Sequence, residues 1–421
     1  MKLKTFSPIV FTILIAPIAS ARPSQTQYFT LNEVVSKGLA TSAKVHAANE
    51  RTSAARHTLD RERAGFAPVV ELGPGIGFTN GNSILTQRID IGGVVAAQGK
   101  VAKAEYLKSL ADLQFERQTV AYEVASIYYA AVRSKTELKG IVDSLAISKQ
   151  FADLLQKKVE LGSAPQVQAT RASIEASRIE QEAIKLRGDL DGEVAALRTV
   201  TRDDTISAAL IPDQFPKSSL TASEKELLAT AEKNRSDLAS IQFNVEIGRA
   251  DVDLIRAQRK PILSGNIVTD FWSLDRKPFQ SRNVGFQALL SFPLANKQSS
   301  ANEKRAKSLA MASELDLAAL KNSIERELAQ ISASLKSKRE VAGNYETIIV
   351  PKSLGLVKVS KAGFDEGLIT LMELLDAQRT ARQTQSEYVE ALFQVAKAEL
   401  DMSRTVGILS PPTAATTEAG S

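Results

Sequence analysis

From Val95 to about Leu161 apolar side chains recur at steps of three, four and seven, through Ala121, Val124, Tyr128, Ala131, Leu138, Val142 and Leu145. That spacing predicts one continuous helix with a coiled-coil seam. At 1.5 Å per residue it would run roughly 100 Å, far beyond what the interior of a globular domain needs. The same pattern returns at Leu317, Leu320, Ile324, Leu328, Ile331 and Leu335. Upstream of each long helix the period changes. Leu31 to Ala64 reads as helix and stops near Pro68, because the residue before a proline is pushed out of the α region. "VVELGPGIGFTNGNSILTQRIDI" then predicts a β-hairpin over 69–92, with its turn signal at Asn80-Gly81-Asn82. "ILSGNIVTDFWSL" and "NVGFQALLSF", separated by the polar "DRKPFQSR", predict a second hairpin over 262–292, with Trp272 where a girdle aromatic would sit.

The chain matches itself. "YEVASIYYAAVRSK" at Tyr122 and "RELAQISASLKSK" at Arg326 lie 204 residues apart, and the stretches beginning at Gly162 and Gly367 lie 205 apart. "RAGFAPVVEL" at Arg63 and "RAQRKPILSG" at Arg256 add a third match. Two structural repeats are therefore expected, over 22–200 and 227–407. Each would be a helix, a β-hairpin and a long coiled-coil helical hairpin, turning at Gly162 in the first and at Gly367 in the second. Residues 201–226 would link them, and 408–421 would be a disordered tail. The fold class is mainly α with a small β part.

Composition narrows the setting. Lys2 and Lys4 precede the apolar run Phe6 to Ala16, then Pro17 and Ala19-Ser20-Ala21, which reads as a secretory signal peptide over 1–21, cleaved after Ala21. Its removal takes the net charge from +5 to +3, a near balance that offers no nucleic-acid surface. There is no cysteine, which excludes disulfides, thiolate metal sites and a lipid-bearing N-terminal cysteine. An exported chain with four strands and no twenty-residue apolar helix cannot close a membrane barrel alone, since an open sheet edge cannot be left in lipid. It must oligomerise, into a tube that is β at one end and α along the rest.

Ala64-Gly65-Phe66-Ala67-Pro68 before the first strand, Gln87-Arg88-Ile89-Asp90-Ile91-Gly92-Gly93 after the second, the glycine turns at Gly162 and Gly367, and "SFPLANKQ" in the second half resemble the TolC-like outer-membrane factor family. The resemblance covers about Leu31 to Gly407. It implies a homotrimer in outer-membrane lipid, whose strands form a trimeric 12-stranded β-barrel continued by an α-helical barrel through the periplasm. Such a protein is the passive exit duct of a tripartite efflux pump or a type I secretion system. Its partners are a periplasmic adaptor (membrane fusion protein) and an inner-membrane transporter of RND or ABC type. Pro68, Gly92, Gly93, Pro261 and Pro293 would mark the knees between strand and helix. Leu161, Gly162, Ser163, Glu366, Gly367 and Leu368 would be the hairpin tips that contact the adaptor.

The resemblance also puts an acidic ring at the periplasmic gate, on Glu373 and Asp376, six and nine residues after Gly367. Residues three apart share a helix face. Threefold symmetry would make of them a ring of carboxylates that favours cations; acids in the first turns of a helix also simply complement its dipole. Where better-known members carry a polar latch, this chain has Phe364, Ile369 and Gln168, so the gate would close by apolar packing or close more weakly.

Other chemistries fit poorly. His46 and His57, the two histidines, lie about 16 Å apart along a helix and cannot share a metal. No cofactor and no catalytic constellation is expected, and the chain reads as a non-enzyme. Gly93 to Gly99-Lys100 has the wrong spacing for a phosphate loop and lacks its hydroxyl, so this stretch reads as a joint. A structural or adhesive periplasmic coiled-coil protein without a pore is the alternative, but such a spacer needs no pair of β-hairpins.

Overall fold

The computed structural model describes residues 28–73, 81–216, 223–272, 283–293 and 297–408. The signal segment, the polar loop of the second hairpin and most of the tail lie outside these residues. The elements run α1 (Leu31–Thr41), α2 (Ala43–Ala64), β1 (Val69–Gly73), β2 (Gly81–Ile89), α3 (Val94–Glu160) and α4 (Gln166–Thr201). They continue as α5 (Glu224–Asn234), α6 (Ser236–Ala257), β3 (Ile262–Trp272), β4 (Asn283–Ser291), α7 (Lys297–Asn344), α8 (Val350–Asp365) and α9 (Leu371–Val406).

Several local rules explain the breaks. Ser42 has an extended backbone and its hydroxyl accepts from the Val45 N–H, so the predicted single helix divides there into α1 and α2. Between α7 and α8 a π segment, Tyr345–Ile349, takes up one extra residue just before Pro351. Proline has no N–H to donate and its ring crowds the carbonyl four residues back, which accounts for the altered register. In the first hairpin β2 begins earlier than the sequence predicts. Gly81 and Asn82 belong to β2, with Asn82 opposite Gly73, while Asn80 lies outside the described residues. Asn80-Gly81-Asn82 is a turn signal by composition, but its last two residues belong to β2, which pairs with β3, Gly81 standing opposite Trp272.

The helical packing is carried by several separate clusters. Val34, Val124, Ala131, Leu197, Ile206 and Ile211 belong to one that gathers α1, α3, α4 and the segment after α4. That segment is therefore packed: Ile206 and Ile211 are fully buried, and Phe215 stacks on Tyr129. Leu238, Ile324, Leu328 and Leu335 centre a second cluster on α6 and α7, with Leu317, Leu320 and Ile331 beside it. In α3 the seam follows Ala121, Val124, Tyr128 and Ala131 and goes on with Leu138 and Leu145, both partly buried, but it misses one position. Val142 is exposed, and Ile141 takes the buried place against Ile179 and Ala183. A straight helix drifts off a seven-residue repeat, and α3 meets α2, α4, α6 and α9 along its length, so one seam cannot serve throughout.

Candidate channel wall and entrance

Among the described residues four strands form one antiparallel sheet in the order β1-β2-β3-β4, with β1 and β4 as its edges. Register makes the two faces different. Val70 stands opposite Leu85, Leu85 opposite Ile267, and Ile267 opposite Phe286, an apolar row across all four strands. The next register position on one side, Val69, Thr86, Asn266 and Gln287, belongs to the other face and is mostly polar. There the Asn266 Nδ2 donates to Gln287 Oε1 at 3.3 Å. Along β4 the apolar face continues with Val284, Ala288 and Leu290, an alternation typical of a wall between lipid and water. Phe286 is 82% and Val70 62% exposed, so none of the described residues covers this face. Among the described residues no helix is long and apolar enough to cross a membrane.

Strand passes to helix within a few residues at the first joint, β2 ending at Ile89 and α3 starting at Val94. Gly93 has φ +76°, a left-handed backbone that side chains strain, and a Cβ there would meet nothing within 4 Å. Gly92 is different: a Cβ on it would lie 3.2 Å from Lys260 Cβ and 3.4 Å from Ala257 O, so α6 passes close by. The two carboxylate oxygens of Asp90 accept from the Val94 and Val95 N–H groups, each at 2.8 Å, and so cap α3. Pro68 and Pro261 directly precede β1 and β3, and Pro293 follows β4.

At the far end the two helical hairpins turn alike. Ser163 N–H donates to Lys158 O at 2.8 Å and Gly162 N–H to Val159 O at 2.9 Å; Leu368 N–H donates to Gly363 O at 2.8 Å and Gly367 N–H to Phe364 O at 3.1 Å. This paired bonding satisfies the last carbonyls of α3 and α8 with a left-handed glycine. Leu161 and Leu368 are 82% and 75% exposed, beside Ser163 and Glu366, which are also exposed.

Behind the tips the contact is apolar. Phe364 meets Phe151 edge-on at 5.8 Å and joins Leu155, Ala169, Ala172, Leu371 and Leu375. Ile369 packs back on Gly363, and Gln168 is half-buried in the first turn of α4. Glu373 and Asp376 are both exposed, and they have different surroundings. Thr370 caps α9, its hydroxyl accepting from Glu373 N–H while the Glu373 carboxylate accepts from Thr370 N–H at 2.7 Å. That backbone hydrogen bond and one from the Thr370 hydroxyl hold the Glu373 carboxyl below its ordinary value. Asp376 lies on a cavity of about 250 Å³ shared with Arg171, Glu175, Arg178 and Arg379.

One polar tie near the hairpin tips had no signal in the sequence. Glu175 of α4 is 5% exposed and accepts from Arg379 at 2.9 Å and Arg382 at 3.0 Å, both on α9. Burial pushes its carboxyl up, but the two guanidinium groups outweigh burial and hold it below the ordinary value. The partners lie more than 200 residues away in the chain, which no local pattern can reveal.

Residues 34–201 and 227–407 match the outer membrane efflux protein family. Among characterised relatives, the outer membrane protein TolC of Vibrio cholerae is 21% identical over 73% of this chain and 72% of its own. The cobalt-zinc-cadmium resistance protein CzcC of Cupriavidus metallidurans is 21% identical over 76% of this chain and 75% of its own. A membrane protein from Pseudomonas aeruginosa shares the fold with a TM-score of 0.75 at 18% identity, covering 95% of this chain and 99% of that one.

Proposed function

The chain belongs to the outer membrane efflux protein family, and from that premise we propose that it works as a homotrimer, a passive exit duct spanning the outer membrane and continuing through the periplasm. Family membership makes it a transport protein and not an enzyme. The observation that carries the trimeric reading is the open four-stranded sheet with one apolar and one polar face. Its two unpaired edges need neighbours in lipid, and second and third copies supply them, giving twelve strands in all. The long helices of the two repeats then stand as the wall of the periplasmic tunnel. A pore-free coiled-coil spacer has no use for such a sheet.

In this reading the tips around Gly162 and Gly367 meet a periplasmic adaptor, which couples the duct to an energised inner-membrane transporter. Glu373 and Asp376 face the entrance as threefold sets, and the apolar contact of Phe364 with Phe151 keeps it narrow. Fractionation tests the assignment. The protein should be found in outer membranes as an oligomer that survives unheated detergent electrophoresis and separates on boiling. Recovery as a soluble periplasmic monomer would sink the proposal. Profiling a deletion strain against drugs, metal cations and dyes would then identify the cargo.

A further inference from the structure

At the first joint, between the end of α2 and the start of α3, lies an open cavity of about 600 Å³. Four cations line it: Arg63, Arg88, Lys100 and Lys103. None of them makes an ion pair among the described residues. The one carboxylate on the wall, Asp90, already has both oxygens bonded to the Val94 and Val95 N–H groups. The cavity is thus left with three net positive charges. Its frame is fixed, since Gln87 Nε2 donates to Phe66 O at 3.0 Å and the Arg88 guanidinium lies 5.9 Å from the Phe66 ring centre. At the second joint the corresponding cations are paired: Arg256, Arg259 and Lys307 converge on Glu303, at 3.3, 2.7 and 2.9 Å.

Like charges held together without a counterion repel, and an anion placed among them gains from all of them at once. The cavity opens where the apolar sheet face ends. Gln87, one of its wall residues, lies on the same face of β2 as exposed Leu85 and Ile89. We propose that this cavity binds the phosphate of an anionic phospholipid whose acyl chains lie along the Leu85 and Ile89 side of the sheet. A soluble anion would use the cations alone; a lipid uses the cations and the adjoining apolar face together. The proposal rests on the reading of the sheet as a membrane wall.

The test uses full-length protein reconstituted in vesicles of equal parts phosphatidylglycerol and phosphatidylethanolamine, then extracted for native mass spectrometry. Wild-type protein should retain phosphatidylglycerol preferentially. The triple variant Arg63→Gln, Lys100→Gln, Lys103→Gln should retain about tenfold less or lower still, while Arg256→Gln with Arg259→Gln should match wild type. Equal retention by the triple variant and wild type would overturn the proposal, as would equal retention of the two lipids by wild type. Loss of the oligomer with unchanged lipid retention would assign the cations to a contact between copies, and also overturn it. A chain that enters neither lipid would remove the membrane-wall reading itself.

Discussion

The carboxylate of Glu175 accepts a hydrogen bond from Arg382 at 3.0 Å, joining α4 to α9 across a sequence separation of 207 residues. Arg382 is itself largely buried, with its side chain 14% exposed, and Glu182 stands 3.7 Å from it. The pair sits behind the apolar cluster of the tips and ties the two helical hairpins together there. Charged hydrogen bonds of this kind contribute more than neutral ones, and removing one partner leaves the other poorly solvated. Glu175→Gln should therefore destabilise the fold by about 2 kcal/mol, measured by denaturant unfolding. No change would mean that the arginines find full solvation elsewhere.

Acid should act on the same contact. The Glu175 carboxyl is held below its ordinary value of 4.5 in the folded chain. Its contribution is fully present above that value and is lost as pH falls through the lower folded value. The difference in melting temperature between wild type and Glu175→Gln should be constant from neutral pH down to about 4.5 and shrink below it. A difference that shrinks between pH 8 and 6 would assign the effect to another group.

The two faces of the sheet make opposite forecasts for one substitution. Phe286→Arg puts a charge on the apolar face and should cost about 2–4 kcal/mol near the middle of a bilayer, seen as loss of outer-membrane oligomer. Gln287→Arg, one residue along on the polar face, should assemble normally. Equal tolerance of both would contradict the face assignment from register.

Gly93 should resist substitution for backbone reasons alone. With φ at +76° and no atom within 4 Å of where a methyl would stand, Gly93→Ala adds strain without a clash. The cost should be about 1 kcal/mol, with Gly93→Asn milder, since asparagine tolerates the left-handed region. Thermal unfolding of the three proteins checks the order.

Joints and turns were legible in the sequence because glycine, proline and aspartate act locally. Gly93, Pro68 and the glycine of each tip stand where their backbone demands place them. The long helices were legible for a similar reason, as apolar spacing persists over many turns. What was hidden depends on neighbours. β2 takes in Gly81 and Asn82 because β3 offers it pairing, and on α3 it is Ile141, not Val142, that meets Ile179 and Ala183 of α4. The surroundings of Asp376 were hidden as well: Thr370 stands three residues before Glu373 and caps it locally, but only the tertiary structure sets arginines of α4 beside Asp376.

Phe364 gives the entrance its own test. Its edge-on contact with Phe151 at 5.8 Å stands where relatives were expected to carry a polar latch. Phe364→Ala should loosen the tips, at about 0.5–1.5 kcal/mol beyond the lost apolar burial, and raise the conductance of the assembled oligomer. Phe364→Leu should lie between the alanine variant and wild type. An unchanged conductance in both would remove this contact from the constriction.

The central claim is that copies of this chain enclose a continuous water-filled duct. Single-channel recording of the purified oligomer in a planar lipid bilayer tests it most directly. Discrete, uniform conductance steps are predicted, with a cation preference that falls when Glu373→Gln and Asp376→Asn are combined. A fully assembled oligomer that inserts and yet passes no current, with or without those two substitutions, would contradict the account.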